Sequence, residues 1–180
     1  MTDARHRRAA PAPSPPLTAS TVLIEGFITG VIGAGIVAAW FLLLDSITHE
    51  ALWTPSLLGT VLFKGPEAAA ANHATVDPGM VAAYTIVHHL AFIVVGVLAS
   101  FLVTEMERIP PLGIALLFLF VFTETSFLIF VLAIGGPLLE GISLWGVAVA
   151  NLLAATGMAG YLWYRHPRIL AYFEQIWESA

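Results

Sequence analysis

The sequence predicts an all-α integral membrane protein, a four-helix bundle with short interfacial and amphipathic helices. Three observations predict it. Of 180 residues, 58% are hydrophobic and only 11% are charged, whereas soluble domains carry about 25% charged residues. The apolar residues gather into four runs, about 22–44, 79–104, 112–134 and 144–164. Each is long enough for the roughly 20-residue helix that crosses a bilayer. The basic residues, finally, divide unequally between the loops on the two sides of those runs.

Residues 1–20 precede the first run. Arg5, Arg7 and Arg8 lead into Pro11-Ala12-Pro13-Ser14-Pro15-Pro16. Prolines at that density block helix and strand, so the segment reads as a disordered basic tail. The first run, 22–44, carries Gly26, Gly30, Ala34 and Ala38 at every fourth position. A ridge of small residues lets helix backbones approach closely in lipid. It serves as a packing face within the chain, or as a seam to a second copy or a larger membrane complex. Glu25 lies near the start of the run, where water or headgroups would reach it.

Residues 45–78 connect the first two runs. Asp45 and His49 are four apart and share a helix face if the helix continues. Thr54-Pro55 has the form of a helix start, a hydroxyl cap followed by proline. The apolar stretch Pro55–Phe63 is too short to span, so it is expected in the interface or as a re-entrant turn. Asp77-Pro78 is a second cap-plus-proline start.

The second run, 79–104, contains His88-His89 and no Asp, Glu, Lys or Arg. The short polar segment Glu105–Pro111 returns the third run, 112–134, antiparallel beside it. Gly135-Gly136-Pro137 ends that run. The fourth, 144–164, has Asn151 and Thr156 inside and small residues at Gly146, Ala150 and Ala154. Trp145 at one end and Tyr161, Trp163 and Tyr164 at the other match interfacial aromatics. Residues 167–180 place Ile169, Leu170, Phe173, Ile176 and Trp177 on one face, an amphipathic surface helix.

Four spans put both termini and the Glu105–Pro111 turn on one side, with Arg5, Arg7, Arg8, Arg108, Arg165 and Arg168. The other side holds only Lys64. That bias predicts cytoplasmic termini, in an inner or plasma membrane.

Glu124 is the only formally charged residue between Arg108 and Glu140. A carboxylate at mid-bilayer costs about 2.5–3.5 kcal/mol on insertion scales, so it calls for a partner or a task. His88 lies nine residues after Gly79 and Glu124 ten before Ile134, about 13.5 and 15 Å below the same face. Asn151 lies about 10 Å down the fourth span. Glu124, His88, His89 and Asn151 therefore form the expected polar site, with Asp45 and His49 at its outward mouth. Such a site suits a proton, an ion or a small polar ligand. The alternative is an interhelical clamp with Glu124 protonated. Thr123, Thr125 and Ser126 are expected to bond their own helix.

A metal held by His88, Glu124, Asp45 and His49 has the right donor types but no compact ligand motif. Haem is disfavoured because both intramembrane histidines sit on one helix. A non-catalytic accessory subunit fits the glycine ridge and the amphipathic tail. There is no phosphate loop, dinucleotide fingerprint or nucleophile elbow, so an enzyme is not the expectation. The arginines are too scattered for nucleic acid and fit the lipid bilayer instead. With no cysteine, disulfides, thiolate metal sites and cysteine nucleophiles are excluded.

Overall fold

A computed structural model describes residues 18–72, 75–106, 109, 112–135 and 144–167, excluding the side chains of 72 and 130–135. The described residues are almost all helical, with no strand among them. The helices are α1 (Ala19–Thr48), α2 (Trp53–Lys64), α3 (Pro66–Asn72), α4 (Pro78–Met106), α5 (Gly113–Gly135) and α6 (Leu144–Arg165). Three of them, α1, α4 and α6, are long and apolar enough to cross a membrane. The α5 backbone is 23 residues long, and its described side chains form a shorter apolar stretch, Gly113–Ile129. Leu23, Phe27, Ile86, Leu90, Phe118 and Phe122 all face outward, as expected of lipid-covered helices.

The boundaries lie within a few residues of those expected. Ala19 and Ser20 belong to α1 rather than to the N-terminal tail. Residues 1–17 of that tail and all but Pro167 of the amphipathic segment lie outside the described residues.

α1 packs between α4 and α6 and runs antiparallel to both. Around Gly30 and Gly96 the α1–α4 seam brings backbone against backbone. A Cβ at Gly30 would fall 2.5 Å from Ile93 Cα and from the Phe92 carbonyl oxygen, while Gly26 meets Val97 and Gly96 meets the Gly26 carbonyl. The glycine ridge is thus filled by α4 of the same chain. Small residues allow this, and in lipid van der Waals packing of close backbones is a main source of helix attraction. On the other side of α1, Ala150 and Ala154 pack with Val37, and the Trp40 indole N–H donates to the Gly146 carbonyl at 2.9 Å.

α5 packs chiefly on α4. At the end near Met106, Ala99 and Val103 meet Leu112, Leu116 and Leu119. The start of α1, the end of α4, the start of α5 and the end of α6 gather there; we call it the terminal end.

The opposite end is capped by α2. The stretch Pro55–Phe63 packs against the long helices: Trp53, Leu57, Leu58 and Val61 are buried with Ala69 and Val147, and Gly59 lies against the Met80 carbonyl. A carboxylate from α1 explains why it folds inward. Asp45 accepts hydrogen bonds from the Thr54 backbone N–H at 2.8 Å and the Thr54 hydroxyl at 2.6 Å. The unpaired N–H groups of the first turn and the helix dipole both favour an anion there. Thr54 therefore does not cap its own helix, and the N-cap position falls to Leu52 at φ 70°. That left-handed conformation costs an L residue about 1–2 kcal/mol. Asp77, in contrast, does cap α4. Its Oδ1 accepts the N–H groups of Gly79 and Met80 at 2.8 and 3.2 Å, with Pro78 in the first helical position.

Candidate functional site

The expected polar residues lie on three helices, α4, α5 and α6, but they do not form one cluster. The His88 ring sits half-buried between Tyr84 and Phe92, with centroid separations of 5.7 and 4.8 Å. Its Nε2 lies 3.3 Å from the Ala34 carbonyl of α1, so the neutral ring with a proton on Nε2 donates there. His89 turns back to its own helix, with Nδ1 2.9 Å from the Thr85 carbonyl. Glu124 is half-buried. Among the described residues its carboxylate makes no hydrogen bond and no ion pair. The direct Glu124–His88 contact is absent. Depth along the membrane is similar for the two, but the helix rotation that aims His88 at α1 turns it away from α5.

What connects them is space. A cavity of about 420 Å³ runs between α1, α2, α4, α5 and α6, and His88, His89, Thr123, Ser126 and Asn151 line it. A second, of about 330 Å³, lies toward the terminal end and is lined by Glu124, Asn151, Thr123, Met158 and Trp163. Phe92, Val95, Thr123 and Asn151 border both. The two form a cleft with apolar walls and a polar midpoint, the composition typical of small-molecule sites. Thr123 spends its hydroxyl on the Leu119 carbonyl at 2.8 Å, which leaves Ser126 and Asn151 at the larger cavity and Glu124 and Asn151 at the smaller as the polar groups on α5 and α6.

Asp45 and His49 do not form a mouth. Asp45 is 2% exposed and its carboxylate is engaged on α2. His49 stacks on Trp53 at 4.2 Å and 7°. Both anchor the start of α2. Among the described residues no three His, Asp or Glu side chains come together to hold a metal, so the set His88, Glu124, Asp45 and His49 does not converge.

A second polar cluster arises from residues expected at the membrane surface. Glu25 is 4% exposed. Arg165 donates to its Oε1 through Nε at 3.0 Å and Nη2 at 2.8 Å, and His166 Nε2 lies 3.1 Å from Oε2. Thr29 donates to the Glu25 carbonyl at 2.7 Å. The signal was present in the sequence: a carboxylate at the start of the first span and two basic residues at the end of the last, at one depth on antiparallel helices. No protein-family model matches this chain, and no curated protein or solved structure is similar to it.

Just outside the spans, Asp77 pairs with Lys64 at 2.9 Å. The Lys64 hydrogen bond, and then the Met80 and Gly79 backbone N–H groups, hold its carboxyl below the usual aspartate value.

Proposed function

We propose that this protein is a four-span membrane bundle that binds a lipid-soluble amphiphile in the α4–α5–α6 cleft. The polar group of the ligand is held by Glu124 and Asn151. The observation that carries this reading is Glu124: a half-buried carboxylate without a protein partner among the described residues, facing a cavity of about 330 Å³ beside Asn151. Left alone in lipid, that group costs several kcal/mol. A hydroxyl or ammonium on the ligand supplies the missing donor, and the apolar walls take its chain. The excess of Arg5, Arg7, Arg8, Arg108, Arg165 and Arg168 over Lys64 in the sequence supports cytoplasmic termini with α2 facing outward.

The ligand carries a hydrogen-bond donor and is lipid-soluble. A long-chain alkanol bearing a diazirine is a direct probe, with the matching alkane as control. In nanodiscs, light should attach the alkanol to peptides around Asn151 and Glu124, and the alkane much less. Glu124→Leu should lower alkanol labelling there about tenfold, the usual weight of a hydrogen bond to a charged group. Labelling spread evenly over lipid-facing residues, and indifferent to Glu124→Leu, would show that the cleft is only a gap filled by lipid.

A further inference from the structure

We propose that α2 is a movable lid over the outward end of this cleft, latched by Asp45; the proposal rests on the ligand-binding reading above. α2 is a 12-residue helix bracketed by the two positive-φ positions among the described residues, Leu52 at 70° and Gly65 at 90°. Thr54, Pro55, Leu58 and Leu62 form part of the wall of the larger cavity. The helix therefore closes the space that leads to Asn151.

α2 is held by the apolar cluster around Leu57 and Val61 and by a set of polar contacts at its two ends. Asp45 takes both bonds from Thr54. The Ser56 hydroxyl accepts the Asp77 backbone N–H at 2.8 Å, and Lys64 pairs with Asp77. The apolar contacts of Trp53, Leu57, Leu58 and Val61 also resist opening. Where the moving helix stays against lipid, acyl chains replace the lost neighbours. The polar latch adds a specific, removable part of the barrier. None of these groups belongs to the α1–α4 seam, so α2 can swing without loosening the bundle.

The absence of native cysteine gives a clean background for the test. Leu58→Cys places a reporter on the cavity wall, read by its rate of reaction with a membrane-impermeant maleimide. In the Asp45→Asn background that rate should rise about tenfold, since a charge-assisted latch is weakened. In a separate variant, Asp45→Cys with Thr54→Cys and no reporter, oxidation should lower alkanol photolabelling at Asn151 several-fold, and reductant should restore it. Three outcomes overturn the lid. The Leu58→Cys rate stays the same in Asp45→Asn. A cysteine at buried Ala150 becomes equally reactive, so the whole bundle has come apart. Or the oxidised pair leaves photolabelling unchanged. Absence of cleft photolabelling in every variant sinks the binding reading instead, while the maleimide rates still decide whether α2 opens.

Discussion

On one flank of α4, Gly96 meets the backbone of Gly26 and Gly30; on another, Phe92 and Val95 border open space toward Thr123 and Asn151. Both flanks are apolar, yet one is closed to backbone contact and the other holds a cleft. Residue size accounts for the difference. α1 offers glycine at 26, 30 and 33 to its neighbours, so two helix axes can draw together. α5 between Leu116 and Phe122 is Leu-Leu-Phe-Leu-Phe-Val-Phe, with no small residue to admit a neighbour. In lipid, bulky apolar faces gain little by pairing, because acyl chains solvate them equally well. The tight seam is then the scaffold, and the loose flank holds the cavities.

The largest effect should come from spoiling the seam. Gly30→Val puts a branched side chain where even a Cβ would lie 2.5 Å from Ile93 Cα. Overpacking of that kind costs about 3 kcal/mol or more, because backbone must move. Gly35, with nothing within 4 Å of its Cβ position, is the control. Gly35→Ala should be neutral or stabilising by up to about 1 kcal/mol. Equal effects on unfolding by a mild-to-denaturing detergent titration would erase the contrast between the two flanks.

Next in size is the terminal end. Among the described residues, His166→Leu removes the one bond to Glu25 Oε2 and leaves a buried carboxylate half satisfied. We expect a loss of about 2 kcal/mol in the same titration. A cost below about 0.5 kcal/mol would mean that Arg165 alone satisfies Glu25.

The cleft should respond in the opposite sense. Ala155 lines the cavity that holds Glu124. Ala155→Phe should change stability by less than about 0.5 kcal/mol, because open space accepts the ring. It should also reduce alkanol photolabelling. A destabilisation as large as that of Gly30→Val would show that α5 packs as tightly as α4.

Much of this contrast could be read from the chain. The limits of α1, α4, α5 and α6 followed from apolar run length, and the Asp77-Pro78 start followed from cap chemistry. The ridge at Gly26 and Gly30 was legible because its spacing is local. What escaped the reading depends on rotation about helix axes and on partners distant in sequence. Residue counting set His88 and Glu124 at similar depth, but it could not say that His88 faces the Ala34 carbonyl. Asp45 looked like a mouth residue because its partner, the first turn of α2, is defined only once α2 folds inward. Glu25 was placed in water for the same reason: Arg165 and His166 lie 140 and 141 residues away.

The smallest effect should appear at Asp77, on the rim of the α2 cap. Its carboxyl is held below the ordinary aspartate value, first by Lys64 and then by the Met80 and Gly79 N–H groups. A depressed folded value means that the stabilising contribution is complete above the unfolded value and is lost as pH falls through the folded one. The α2–α4 junction should therefore be indifferent to pH between about 7 and 5 and loosen only below about 3.8. Amide exchange at Gly79 and Met80 reports this locally, since both N–H groups donate to Asp77. Lys64→Met removes the leading cause of the depression, so loosening should begin at higher pH than in the parent. The atoms nearest the Gly30 and Gly96 positions are backbone of Ile93, Phe92, Gly26 and Gly30, and exchange at Gly30 and Gly96 should stay flat over the same range. Parallel acid loosening of seam and rim would mean that the cap and the bundle unfold as one unit.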